Sequence, residues 1–252
     1  MLKSLVLAFS TYSKIPMPKV EWDKKSMRHS MCFFPFVGAV IGGCFFGLLY
    51  FLMSLNYSYV MTAALLTALP VIITGGIHVD GFLDTVDALS SYRDREEKLR
   101  ILKDPHTGAF AIVFGIVYFL MYFGFMSQLA VDFEDDNFKT ALLVSVGFVY
   151  SRALSGLSVV ALKKARKDGI VAGIADASPK GVKAVLVLEL LACVTAFCII
   201  DPLRGTLAAL VGVIVFLYYR SMAYRHFGGV TGDLAGFFLQ ICELAILASC
   251  TL

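Results

Sequence analysis

The 252-residue sequence predicts an all-α protein, a polytopic bundle of about seven transmembrane helices with its N-terminus in the cytoplasm. Three observations predict it. The chain is 58% hydrophobic and 16% charged with a mean hydropathy of +0.78, whereas soluble domains average roughly 45–50% apolar and about 25% charged residues. Several apolar runs approach or exceed the roughly 20 residues that a helix needs to cross a bilayer, and in lipid a helix satisfies every backbone group within one segment. Lysine and arginine alternate sharply between the loops. Of 22 basic residues, 19 fall on one side, two (Lys139 and Arg204) on the other, and Arg152 lies inside a run, which orients the basic side to the cytoplasm. Disorder is excluded by the apolar content. The net charge of +3 is too small to imply a nucleic-acid partner.

The whole chain, 1–252, reads as one membrane-embedded domain. Residues 1–30 mix apolar and basic side chains and suit an interfacial helix or hairpin. The apolar stretch 5–9 is too short for a signal-peptide core and no small-residue cleavage site follows, so the N-terminus is expected to be retained. The expected spans are 31–54, 58–77, 108–131, 138–162, 182–200, 205–223 and 234–252, with Pro70 interrupting the second and Glu243 inside the seventh. Residues 78–107 form a cytoplasmic acidic segment, and the loop 132–137 is acidic on the opposite side. The six cysteines are scattered through apolar stretches without a CxxC spacing and read as buried thiols.

Chemistry concentrates in three stretches. Asp80, Asp84 and Asp87 are spaced i, i+4, i+7, so one helix face carries three carboxylates. Like charges on one face repel; a divalent cation is the economical counter-charge, and hard oxygen donors suit Mg²⁺ or its substitute Mn²⁺ rather than Zn²⁺. A substrate containing pyrophosphate fits, because Mg²⁺ usually completes its shell with phosphate oxygens and water. The alternative is a solvated acidic face. His78, with Gly75 and Gly76, stands directly before that face. Residues 93–106 read as a short amphipathic helix stopped by Pro105, with Glu96 and Arg100 as an i, i+4 pair. Beyond it, Asp104 could complete the carboxylate cluster and His106 could contact a phosphate or move a proton. Gly228, Gly229, Thr231 and Asp233 precede the last span; this is a phosphate or metal-water site or a plain N-cap. Of the ionisable residues inside spans, Arg152 could face substrate phosphates or form a buried ion pair with Glu243.

Together these stretches resemble the cobalamin synthase (adenosylcobinamide-GDP ribazoletransferase) family. The resemblance rests on Gly-Gly-x-His-x-Asp-Gly-x-x-Asp-Thr-x-Asp at 75–87, Lys-Asp-x-x-x-Gly at 103–108 and Gly-Gly-x-Thr-Gly-Asp-x-x-Gly at 228–236, in that order, with residues 9–18 and 34–38 also similar. Tyr12, Ser13 and Lys14 depart from a Thr-Arg pattern of the family, and Leu234, Ala235 and Gly236 are a loose version of its ending.

The resemblance implies a Mg²⁺-dependent enzyme of the bacterial or archaeal cytoplasmic membrane, with its active site facing the cytoplasm, acting late in cobalamin biosynthesis. Its small-molecule partners are adenosylcobinamide-GDP and α-ribazole or α-ribazole 5′-phosphate; a ribose hydroxyl attacks the phosphoryl group next to the corrinoid arm and GMP leaves. On that reading Asp80, Asp84, Asp87 and Asp104 bind the metal at the pyrophosphate. His78, Lys103, Arg152, Gly228, Gly229 and Thr231 contact substrate. Asp84, His106 or Asp233 serves the proton transfer or supports the nucleophile. One rival is a phosphotransferase on lipid alcohols of the CDP-alcohol type, whose motif shares the Asp-Gly opening at 80–81; another is an ion-coupled transporter. A homo-oligomer is left open.

Overall fold

Apolar runs become helices here because the backbone bonds internally, and what ends each helix is local. A computed structural model describes residues 1–133 and 138–252. Among the described residues there are twelve α-helices and no β-strand: α1 (Leu2–Tyr12), α2 (Lys24–Met27), α3 (Ser30–Ser54), α4 (Tyr59–Thr74), α5 (Ile77–Ser90), α6 (Arg95–Ile101), α7 (Ala109–Asp132), α8 (Lys139–Ala161), α9 (Ile170–Ala177), α10 (Lys180–Ile200), α11 (Pro202–Met222) and α12 (Gly232–Thr251). A π-helical turn (Ala223–Phe227) extends α11. Side-chain oxygens cap the starts: Ser58 accepts from the Met61 amide, Asp94 from Glu97, Asp201 from Leu203 and Arg204 ahead of Pro202, and Thr231 from Leu234.

Six helices, α3, α7, α8, α10, α11 with its π-turn, and α12, are long and apolar enough to cross a membrane. The second expected span differs. α4 has 16 residues and stops at Gly75 and Gly76, both with positive φ (66° and 79°), after which α5 departs at 94°. Only glycine takes that left-handed backbone without strain. α4 and α5 together are long and apolar enough to count as a seventh, broken pass, and α5 packs on α12 and α7.

The bundle centres on α8, which packs along α3, α10 and α12. Gly38 and Gly42 put α3 against the α8 backbone, where a Cβ would sit 2.2 Å from the Phe148 carbonyl oxygen and 2.5 Å from that of Ser145. α1 is a single helix that lies on α3 and buries Val6, Leu7, Ala8 and Phe9. The expected helix over 93–106 is shorter, ending at Ile101 before Pro105 is reached. Of the acidic loop, residues 134–137 lie outside the described residues.

The basic loops gather at one end. There Lys103 Nζ is 3.1 Å from Asp168 Oδ2, Lys98 Nζ is 3.3 Å from His226 Nδ1, and Arg166 donates to the Leu99 carbonyl. Asp132, Lys139, Asp201 and Arg204 lie around a concavity at the other end. The alternation read from charge is thus reproduced by the packing.

Candidate active site

α5 is held by its apolar face. Phe82 stacks on Phe237 (5.8 Å between centroids, 8° between planes) and meets Tyr118 at 5.0 Å. Its other contact is a seam of glycine. A Cβ on Gly81 would lie 2.7 Å from the Asp233 carbonyl oxygen, and one on Gly236 would lie 3.0 Å from that of His78. Without side chains at the seam, the start of α12 approaches α5 backbone to backbone, and Asp233 is carried to the α5 carboxylates. Asp84 is half-buried, and its carboxyl is pushed up to about 7, first by burial and then by the charges of Asp80, Asp233 and Asp87. Asp87 lies against Gly108, where a Cβ would be 1.9 Å from its Oδ1, at the start of α7, a favourable place for an anion.

Beside this face a cavity of about 400 Å³ opens between α1, α5, α9 and α12. Asp80, Asp233, Lys164 and Arg166 bring charge to its lining, and Tyr12, Phe34, Met31, Val159 and Leu239 supply apolar wall. Tyr12 and Phe34 touch at 4.3 Å between ring centroids, and both rings neighbour His78 at 6.0 and 5.8 Å. His78 is only 4% exposed, and its Nε2 has no hydrogen-bond partner. Burial, with the charge of Arg152 behind it, lowers the imidazole to about 3, so it stays neutral.

The loop after α8 completes the site. The Ala165 amide donates to the Val230 carbonyl (2.9 Å) and the Val230 amide to that of Lys163 (2.8 Å). Gly229 (φ 156°) slips beneath this pairing, since a Cβ would meet the Lys163 carbonyl oxygen at 2.4 Å; Gly228 (φ 76°) lies under the Arg95 guanidinium. The two glycines expected at a phosphate are thus packed against the chain's own groups. Thr231 caps α12 and donates to Asp233 Oδ2 at 3.4 Å. Lys164 pairs with Asp176 at 2.5 Å.

Asp80, Asp84, Asp87 and Asp233 therefore share one neighbourhood, with His78 and Thr231 beside it. Asp104 and His106 do not join it. Neither lines the cavity; the Asp104 carboxylate accepts from the His106 amide (2.9 Å) and ring (2.7 Å) on an exposed turn, and this holds it below the usual carboxylate range. Lys103 reaches the rim only through Asp168. Arg152 takes the other of its two readings. Its guanidinium, 1% exposed, is 2.6 Å from Glu243 and donates to the Phe148 carbonyl, deep in the bundle. Among the described residues no three His, Cys, Asp or Glu side chains converge enough to enclose a metal by themselves. Sequence reasoning missed Tyr12, Phe34, Lys164 and Arg166. The first two lie in the similar stretches 9–18 and 34–38, and the last two entered only as loop charge.

The family model described as cobalamin-5-phosphate synthase matches residues 4–251. A curated relative from Lachnoclostridium phytofermentans, named adenosylcobinamide-GDP ribazoletransferase, is 47% identical over 96% of this chain and 91% of its own length. A relative of the same name from Clostridium botulinum (strain Alaska E43 / Type E3) is 34% identical over 100% of this chain and 98% of its own; another, from Desulfitobacterium hafniense, is 30% identical over 98% and 95%. No solved structure matches. A family match along nearly the whole chain, together with relatives of this identity and coverage, makes the chain an enzyme of the cobalamin-5-phosphate synthase family.

Proposed function

We propose that the enzyme transfers the adenosylcobinamide phosphoryl group from adenosylcobinamide-GDP to α-ribazole or its 5′-phosphate, with Mg²⁺, at the cytoplasmic face of the cell membrane. One observation carries this reading: Asp84 is the point where the charges of Asp80, Asp87 and Asp233 converge, beside a cavity that also holds Lys164 and Arg166. Four carboxylates with a half-buried member near neutrality are an excess of negative charge that a hard cation relieves. The donor set fits such an ion: only oxygen is offered, and Mg²⁺ takes one or two carboxylates and leaves the rest of its shell to phosphate and water. Asp80 and Asp84 would hold it, with Asp87 and Asp233 adding negative charge nearby. When bound, Mg²⁺ supplies neutralisation of the charge on the pyrophosphate and on the departing GMP.

The chain's own groups do the rest. Lys164 and Arg166 attract the phosphate oxygens. Asp233, on the cavity lining and held by Thr231, accepts the proton of the ribose hydroxyl. That oxygen forms a bond to the phosphorus on the corrinoid arm, the bond from that phosphorus to the bridging oxygen breaks, and GMP leaves with the electron pair. The cytoplasmic orientation is supported by charge: 19 of 22 cations fall in the loops on one side of the sequence-expected spans, among them Lys164 and Arg166 of the cavity lining. The lipid-alcohol and transporter readings find no support in the family match.

The test is purified protein in detergent given adenosylcobinamide-GDP and α-ribazole, with GMP release followed with and without Mg²⁺. Release that needs both substrates and the ion is expected; release without α-ribazole, or equal release in excess EDTA, contradicts the proposal.

A further inference from the structure

We infer that the cavity of about 400 Å³ is the seat of the α-ribazole base, packed against the Tyr12 and Phe34 rings, its one free ring nitrogen bonded to His78 Nε2. This rests on the reaction proposed above and names the part of the substrate each wall meets. Three observations carry it.

The first is size. A cavity of about 400 Å³ lies toward the small end of the 300–1,000 Å³ that small-molecule sites span. It takes one nucleoside and leaves a corrinoid outside.

The second is chemistry. The inner wall is apolar and aromatic, and among the described residues His78 Nε2 is the partnerless buried polar atom whose residue lines this cavity. A buried nitrogen without a partner is costly unless a ligand supplies one. The dimethylbenzimidazole of α-ribazole is flat, apolar and carries a single acceptor nitrogen once its other nitrogen bears the ribose. In the Nε2–H tautomer, His78 donates to it. Guanine, the competing base, has polar atoms along most of its edge, and against the Tyr12, Phe34, Met31, Val159 and Leu239 wall most of them would be unpaired.

The third is position. Asp80 and Asp233 share the cavity lining with His78 and the aromatic wall. A base seated against the rings therefore keeps its ribose beside the carboxylate that takes the hydroxyl proton. Tyr12 belongs to α1, so the first helix, which lies across α3, forms one wall of the nucleoside site.

The experiment uses full-length protein in detergent with three variants: His78→Phe, which keeps the ring and removes the donor; His78→Gln, which restores an amide N–H near the same place; and Val159→Phe, which fills the cavity from α8. KM is measured for each substrate separately, and radiolabelled α-ribazole binding is measured alone by equilibrium dialysis. The expected result is a KM for α-ribazole raised about tenfold or more in His78→Phe and Val159→Phe, partly recovered in His78→Gln, with the KM for adenosylcobinamide-GDP within about twofold of wild type in all three. The unchanged second KM shows that the variants fold. A rise in the adenosylcobinamide-GDP value alone overturns the proposal in favour of a guanosine site. No change in either value, or α-ribazole retained equally by wild type and Val159→Phe, also overturns it. Wild-type protein that retains α-ribazole on dialysis and loses it in Val159→Phe, yet releases no GMP, supports the cavity assignment and overturns the reaction.

Discussion

The α5–α12 seam and the turn between α6 and α7 carry the same kinds of side chain, aspartates and a histidine, and the molecule treats them in opposite ways. At the seam, Gly81 and Gly236 let two backbones meet, His78 is buried, and Asp84 is pushed up to about 7 by its surroundings. At the turn, Asp104 and His106 satisfy each other in solvent, and Asp104 is held below its usual range by the bonds it accepts. Residue type alone does not raise a carboxyl above its usual range. Removal from water beside like charge does, and it is the packing of glycine against backbone that achieves the removal here.

The sharpest way to break this comparison is to neutralise one carboxylate from each region. Asp84→Asn is expected to lower GMP release by about a thousandfold or more, the scale of losing a main charge-stabilising group, while Asp104→Asn and His106→Gln stay within about threefold. A loss in the turn variants equal to that in Asp84→Asn would erase the distinction.

Next in size is the buried pair. Arg152→Ala leaves Glu243 charged and unpartnered in the bundle and should cost about 3–5 kcal/mol, read as a lowered thermal midpoint in detergent. Arg152→Met combined with Glu243→Leu removes both charges and should recover most of that midpoint, with a near-normal KM for adenosylcobinamide-GDP. A KM raised tenfold in a well-folded double variant would return Arg152 to the substrate phosphates.

A smaller effect sharpens the role of the seam. Gly81→Ala forces a Cβ to 2.7 Å from the Asp233 carbonyl oxygen and should cost about 1–3 kcal/mol along with turnover. Gly124→Ala, with nothing within 4 Å, should leave both unchanged or slightly improve stability. The smallest effect is expected at Lys103→Ala, whose exposed pair with Asp168 contributes about 0–1 kcal/mol.

These contrasts also mark what the linear chain reveals. The apolar runs place nearly every candidate crossing, because length and hydropathy are local, and the i, i+4, i+7 aspartates announce a carboxylate-bearing face because a helix repeats every 3.6 residues. The end of α4 is also written locally, in the two glycines at 75 and 76, although a span of average length hides the 94° turn there. The rest depends on contacts between distant segments. Arg152 and Glu243, 91 residues apart, stand out in the sequence as charges inside apolar runs, but only their packing decides between an ion pair and a phosphate contact. The pairing of 163–165 with Val230, which brings Gly229 against the Lys163 carbonyl, and the Arg95 guanidinium over Gly228 are equally remote in the chain. Tyr12 is legible only as part of an amphipathic N-terminal helix; that it walls the cavity follows from where α1 lies on α3.

The central claim, that the α5 carboxylates hold a divalent ion, is tested most directly by Mn²⁺ binding followed by electron paramagnetic resonance on the purified enzyme with adenosylcobinamide-GDP present. Wild type and Asp104→Asn should bind the ion alike, and Asp80→Asn and Asp84→Asn should bind it at least about tenfold more weakly. Equal affinity in wild type and Asp84→Asn would contradict the account.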